Sequence, residues 1–590
     1  MSLLSELQRR NVLKVGAAYL VVAWLLIQVA ATVAPQLGTP EWTPRLVTLL
    51  LMLGFPIALL VAWFLERTPE GLKVEKAMTG NKRIVAVALA LAALAVGWFL
   101  RERPSGPADG GAADARSVAV LPFVNMSADA ENEYFADGLS EEILNALVTI
   151  TDLRVTGRTS SFQFKGRNED LRRIGEQLGV ANVVEGSVRR AGDQVRITAQ
   201  LVRTADGFHL WSASYDRDVK DTFQIQLDIA HNVTRALDVV LDEAQRAQLE
   251  QSGVRDVEAF IAFQKARELY NQAHDDYIAM DKLHAGYAEF ERAIAIEPGF
   301  GTAYYVRTDL YAHVLGVNTA PAAELAAVHA KYLADLTEAA RLPSSPQQRA
   351  LIELDRMLIS DDWRALPRQV EAVLAAPGCA EPVWADVVVP FVDAARYFDW
   401  RKSLLKCDPL DRTNLRMATI AGVAANQPAA ALQLIEAFDA RAGSKLANCS
   451  HVGALLLLGR VDEARAQARV PDPRTRDFCE LTIAASVGDA TAARASLQRW
   501  LEHPRAATSN SADFRLAGFA MVGDRAQANA VAESLDRNPA GPMMLAAAAM
   551  TCMCGAPFDI ERTPRFKARL AEAGWSWPPP DIMQFKTKDW

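Results

Sequence analysis

The chain has 590 residues, 50% of them hydrophobic and 23% charged, which is too apolar for disorder and long enough for several domains. Its formal charge is −8, and because residues 1–115 carry 11 basic against 8 acidic side chains, the remainder stands at −11. An acidic body argues against nucleic acid, whose phosphates need a basic stripe. All six cysteines fall between Cys379 and Cys554, which excludes a thiolate metal cluster or a redox motif from the first two thirds.

Three apolar stretches open the chain: Val15–Val33, Leu46–Leu65 and Ile84–Leu100. Each approaches the ~20 residues that a bilayer-spanning helix needs. Their succession favours retained helices over a cleaved signal peptide, with Pro56 kinking the second. Arg9, Arg10 and Lys14 precede the first stretch, and Arg67, Lys73, Lys76, Lys82 and Arg83 separate the second from the third. The positive-inside rule puts both flanks in the cytoplasm. The expectation is a three-helix transmembrane anchor over 1–100 in a bacterial inner membrane, with the lipid bilayer as a partner and everything after Leu100 in the periplasm. An even number of cysteines in that exported part fits an oxidising compartment.

Residues 101–115 are rich in Gly, Pro and Ala without apolar periodicity and read as a flexible linker. An α/β domain is expected over 116–250. Ser117–Phe123 is of strand length, Tyr134–Ile150 has helical spacing, Leu153–Phe164 reads as extended, and Asp170–Leu178 as a helix. Val183–Arg190, Val195–Val202 and His209–Tyr215 read as strands joined by turns at Gly192 and Gly207, and Asp221–Leu241 as a closing helix. Glu141-Glu142 looks like a helix start or a solvated face.

The ordered blocks SVAVLPFVNMSADAENEYFADGLSEEIL, LRVTGRTSSFQFKG and LGVANVVEGSVRRAGDQVRITAQLVRTADGFHLWSASYDRD resemble the TolB amino-terminal-like (FlgO-type) domain. The stretch before them resembles the segment placed ahead of such domains in bacterial TolB-like/tetratricopeptide proteins. The resemblance implies a mixed α/β fold used for protein contacts and no chemistry, although proteins of this build often carry an adenylate cyclase label by association. Its motif positions are Pro122, Gly138, Arg158, Ser160, Gly186 and Trp211. Pro122 fits a strand exit, and Gly138 and Gly186 fit places of close backbone approach. Trp211 reads as a sheet-face aromatic. Arg158, Ser160 and Lys165 form a polar cluster able in principle to hold an anion, and satisfying local backbone is the simpler role.

From 251 to 563 the sequence turns Ala- and Leu-rich with helical periodicity. YAEFERAIAIEP, with Tyr287, Phe290, Ala293 and Pro298, resembles the second helix of a tetratricopeptide repeat. Turns recur at Asn426, Gly459, Gly488 and Gly523, spaced 33, 29 and 35 residues apart, around the ~34 of that repeat. Gly or Asn there supplies the left-handed residue that ends a first helix. Residues 340–420 fit the pattern poorly. Residues 564–590 are expected to form a capping helix and an aromatic, Pro-rich tail that either binds a partner or, as the simpler role, folds back on that last helix.

Cys449 and Cys479 sit ten and nine residues before Gly459 and Gly488, at matching heights on adjacent first helices, and make the preferred disulfide. Cys379–Cys407 is the weaker pairing, and Cys552 with Cys554 is a difficult one. No phosphate loop, HExxH or GxSxG occurs, and the eight histidines offer no i,i+4 pair for a metal. No catalytic residue, metal or cofactor is therefore assigned. The expected architecture is three transmembrane α-helices, a TolB-like α/β domain and an all-α tetratricopeptide-like superhelix. The expected function is a non-enzymatic interaction scaffold whose repeat groove takes a protein partner. A signalling component of the cell envelope and an enzyme such as a nucleotide cyclase are the alternatives.

Overall fold

The computed structural model describes residues 15, 19, 22–24, 26, 28, 48, 51, 54, 55, 58, 65–68 and 71–74, and then 113–587 apart from 128–131, 151, 244, 246–254, 275–278, 343, 381, 444–449 and 504–510. The chain divides into two units, Met1–Gly111 and Ala112–Trp590.

In the first unit the described residues between 15 and 28, and between 48 and 58, are helical. Tyr19 Oη donates to the Leu51 carbonyl at 2.8 Å, and its ring lies 5.7 Å from Phe55. Strands β1 (Leu65–Thr68) and β2 (Gly71–Val74) form an antiparallel hairpin. A bilayer span needs ~20 consecutive apolar helical residues, and among the described residues no helix is long and apolar enough to cross a membrane. This finding overturns the three transmembrane α-helices, and with them the bilayer partner, the multi-pass inner-membrane localisation and the periplasmic placement that rested on counting crossings. Hydropathy records composition and does not by itself show that an unbroken helix of the required length forms. Leu65, expected to end the second span, instead begins β1, while Ile84–Leu100 and residues 101–112 lie outside the described residues.

The second unit is helix-rich with a small mixed sheet. Strands β3 (Ser117–Val120), β4 (Val124–Asn125), β5 (Arg154–Val155), β6 (Asn182–Ala191), β7 (Gln194–Arg203) and β8 (His209–Asp218) form a six-stranded sheet ordered β5-β3-β6-β7-β8, with β4 on β6. β3 runs parallel to β5 and β6, and β6 to β8 form an antiparallel meander. β4 continues the β3 row along β6, pairing Val124 with Ser187 after the interruption at Pro122, which has no N–H to give the ladder.

Alternation along the strands builds two cores. Val118, Val120, Val184, Val188 and Ile197 face helices α1 (Asn132–Val148) and α4 (Thr222–Ala236). Ala119, Leu121, Val183 and Val202 face the other way, under helix α3 (Leu171–Leu178). The expected extended run from Leu153 to Phe164 is instead the two-residue β5 and a short helix, α2 (Arg158–Phe162).

The helical array follows as α5 (Val257–His274), α6 (Met280–Ile296), α7 (Gly301–Val317), α8 (Ala322–Arg341), α9 (Pro346–Leu358) and α10 (Leu366–Ala375). A 3-10 segment, Ala385–Phe391, precedes α11 (Ala394–Cys407), α12 (Arg412–Ala424), α13 (Pro428–Ala442), α14 (Ser450–Leu457) and α15 (Val461–Gln467). Next come α16 (Pro473–Val487), α17 (Ala490–Glu502), α18 (Ala512–Met521), α19 (Arg525–Arg537), α20 (Gly541–Cys552) and α21 (Pro564–Ala573).

Turn chemistry sets the later pairs. Gly459, Gly488 and Gly523 adopt φ of 72°, 81° and 71°, a left-handed backbone that favours glycine. Asp489 and Asp524 then cap the following helices by accepting from the Ala492 and Gln527 amides. α20 is apolar on every side and is buried, packing on the 3-10 segment and α18, with Met544 reaching Gly316 of α7.

A buried ion pair locks the irregular middle of the array. Arg401 is 2% exposed; its Nε donates to Asp386 at 2.9 Å, Nη2 to the same carboxylate, and Nη1 to Asn414 at 2.8 Å. The Tyr397 hydroxyl also donates to Asp386, at 3.0 Å. Removing the guanidinium strands a buried carboxylate. Arg401→Ala should therefore cost about 3–5 kcal/mol, and Arg401→Lys, without the planar fork, should recover only part of it. Denaturant unfolding of the three chains measures both.

Candidate functional site

The second unit has a joint where the helical array meets the sheet. The loop between α11 and α12 presents Asp408 and Leu410 to α2, and its Asp411 caps α12 by accepting from the Asn414 amide. Asp408 Oδ1 accepts from the Ser160 amide at 2.7 Å and from the Ser160 hydroxyl, and that hydroxyl accepts from the Leu410 amide at 2.7 Å. The Gly157 amide donates to the Cys407 carbonyl at 2.8 Å, and Gln163 Nε2 to the Leu410 carbonyl at 3.2 Å. Leu410, 3% exposed, completes the core formed by Ala119, Leu121, Phe164 and Ile174. A Cβ at Gly157 would collide with the Asp408 carboxylate, so only glycine lets the two segments approach.

Burial first, and Asp411 second, push the Asp408 carboxyl up to about 7, against the hydrogen bonds from Ser160 and Thr159. The cluster considered for an anion thus holds a carboxylate of its own chain. Its other members look elsewhere. Arg158 Nε pairs with Glu141 at 2.7 Å and its guanidinium lies 4.1 Å over Phe162, while Lys165 pairs with Asp137 and Glu133. Glu141 and Glu142 are buried within α1, so neither is a helix start or a solvated face.

The remaining motif positions have structural surroundings. Pro122 is half-buried after β3, Gly186 lies where a Cβ would meet the Thr198 carbonyl and Phe123, and Trp211 packs half-buried against the sheet core. At Gly138 a Cβ would strike Phe260, and the vacancy lets α5 lie on α1 with Phe135 and Phe260 edge to face at 6.2 Å. In α6, Tyr287 accepts from the Tyr311 hydroxyl at 3.1 Å, Phe290 packs 5.7 Å from Phe263, and Ala293 is buried, with Pro298 in the turn beyond.

Disulfides join Cys379 to Cys407 and Cys552 to Cys554, the second despite one intervening residue. Cys479 is disulfide-bonded, and Cys449, its expected partner, lies outside the described residues.

Sequence reading missed a group that folding assembles. His274 of α5 and Asp309 and His313 of α7 place one donor atom each within 4.8 Å of one another. Two imidazoles on different helices are invisible to an i,i+4 search, although Asp309 and His313 are themselves an i,i+4 pair.

The tail folds back. Trp575 stacks on Phe391 at 5.3 Å, and Trp577 lies 4.8 Å from Phe558. Beyond them Met583 and Phe585 sink into a cluster with Leu481, Leu497 and Ala517. Met583 touches the Gly453 position of α14, Lys586 lies over Gly488 at the end of α16, and Thr587 Oγ donates to the Met521 carbonyl of α18 at 2.6 Å. A shallow depression nearby is lined by Val389, Met553, Pro579, Pro580 and other residues without an ionisable side chain.

No family model matches the chain. Over 188 residues, 32% of this chain and 31% of the relative, it is 38% identical to a protein of Rhizobium meliloti (strain 1021) described as "Putative adenylate cyclase 3". The match thus spans about a third of that relative's length.

The joint predicts a pH signature. An unfolded Asp ionises near 3.9, so between there and about 7 the folded chain holds a proton that the unfolded chain has lost. Stability contributed by Asp408 is complete below about 4, falls as pH rises, and is gone above about 7. Asp355, also raised to about 7 by burial, adds the same slope to every variant and cancels in a difference. The urea midpoint of wild type should fall relative to that of Asp408→Asn between pH 4.5 and pH 7.5. Leu410→Ala should cost about 2–5 kcal/mol at every pH.

Proposed function

We propose that the chain works by binding a protein: a TolB-like α/β domain fixed on a tetratricopeptide-like array, with the array taking an extended peptide across its first helices. The observation that carries this reading is the tail. Met583 and Phe585, on either side of Gln584, are both buried where the tail crosses α14, α16 and α18. Helical-repeat arrays use extended surfaces of this kind for recognition, and the tail occupies it in cis. An acidic array favours a segment that carries a basic residue, as Lys586 does here.

The cyclase description belongs to the relative, and a cyclase needs carboxylates that hold the metal of a nucleoside triphosphate. The joint carboxylate instead accepts from Ser160, and the depression beside the tail has no ionisable lining.

A labelled peptide of residues 581–590 should bind a chain ending at Pro580 and fail to bind the full chain. Burying Met and Phe side chains is worth about 1.5–3 kcal/mol each, so a peptide with both replaced by Ala should bind at least about 100-fold more weakly. Failure of the shortened, folded chain to bind the peptide, or cyclic nucleotide formed by the full chain from ATP and Mg2+, overturns the reading.

A further inference from the structure

We propose that His274, Asp309 and His313 form a binding site for one zinc ion that clamps α5 to α7. His274 Nε2 lies 3.2 Å and His313 Nε2 3.4 Å from the same oxygen, Asp309 Oδ2. In a tetrahedral zinc site with bonds of about 2.0–2.1 Å, neighbouring donor atoms are about 3.4 Å apart, which matches the two imidazole–carboxylate distances, and the three donor atoms all lie within 4.8 Å of one another. The ring centroids of the two histidines are 5.6 Å apart, room enough for both to face one ion.

The tautomer supports the same assignment. His274 Nδ1 lies 2.8 Å from the Tyr270 carbonyl, one turn back on α5. A carbonyl only accepts, so Nδ1 carries the proton, and in the neutral ring Nε2 presents a lone pair to the carboxylate. Facing a carboxylate oxygen at 3.2 Å, that nitrogen is satisfied either by a second proton, which the hydrogen bond and charge of Asp309 favour against burial, or by a cation shared with the oxygen. A backbone carbonyl behind a ligating imidazole is also the usual outer partner of a metal-bound histidine.

Asp309 Oδ2 is buried and, despite these distances, makes no aligned hydrogen bond among the described residues. Its neighbours are the two imidazoles, and either a proton on one of them or a metal ion shared by all three donor atoms satisfies the buried oxygen. The Asp309 side chain is 7% exposed, whereas His274 is 27% exposed and leaves a way in. Two neutral imidazoles and one carboxylate suit zinc, with the fourth position left to water or to a group on a bound partner.

The site is tested on the full-length chain, stripped with a chelator and titrated with Zn2+ against a chromophoric indicator, and with Co2+ by visible absorption. One Zn2+ per chain is expected, with the intense d–d bands of a four-coordinate Co2+ site. His274→Gln, His313→Gln and Asp309→Asn, near in shape to the parent residues, should each weaken Zn2+ binding by about 100-fold or more, since even outer-sphere losses reach 10–100-fold. His329→Gln removes an imidazole bonded to the Ile359 carbonyl and should leave binding unchanged. Circular dichroism of the metal-free variants separates lost ligation from lost fold. Unchanged stoichiometry in His274→Gln/His313→Gln, absence of a bound equivalent in wild type, or a pale octahedral Co2+ spectrum each overturns the proposal.

Discussion

The carboxylate of Asp408 ties together two parts of the chain separated by 248 residues. A carboxyl group with 5% exposure is expensive to desolvate, and what offsets the cost is directional: an amide and a hydroxyl of Ser160, with Leu410 set into the sheet core one step further on. Neither part suffices alone. Without Leu410 the carboxylate would lie at a wet, weak contact, and without the carboxylate the Ser160 donors would be buried unpaired, at about 1–3 kcal/mol. The second unit is therefore one body in which the array supplies part of the core of the α/β portion.

Helix α5 carries that continuity along the other side of the sheet. Near its start Phe260 fills the space left by Gly138 on α1, and at its end His274 meets Asp309 and His313. Fourteen residues at 1.5 Å each separate the two contacts by about 21 Å. α5 packs on both α1 and α6, so the sheet side and the histidine cluster are joined through one helix.

How much of this was readable follows from how local each cause is. Gly459, Gly488 and Gly523 were legible because a helix end needs a left-handed residue within the sequence window that shows it, and the Asp residues after Gly488 and Gly523 mark the next helix start. Strands β3, β6, β7 and β8 were legible from runs of strand length between turn residues, whereas the two-residue β4 was not. The span from Leu153 to Phe164 was misread because β5 needs only two residues to pair with β3, and what makes α2 turn is a carboxylate far along the chain. The apolar N-terminal stretches read as spans because hydropathy records composition, whereas a span also needs an unbroken apolar helix of about 20 residues, which no helix among the described residues supplies. His274 and His313 were seen singly, and their meeting depends on how α5 and α7 pack, which no spacing rule encodes.

Two buried carboxylates converge on the five residues of α2 and respond in opposite directions. Glu141 is buried as deeply as Asp408, and burial alone would raise both. At Glu141 the cations Arg158 and Arg267 outweigh burial and hold the carboxyl below its usual range. At Asp408 the partners are dipoles, and the nearest charge, Asp411, is of the same sign, so the carboxyl rises. One short helix thus offers a guanidinium to the sheet side and a neutral Ser160 to the array side. The sheet side is fastened by charge that stays ionised near neutral pH, whereas the array side is fastened by a group poised to gain or lose its proton there. The asymmetry lies in a single choice of residue type, Arg158 against Ser160, two positions apart.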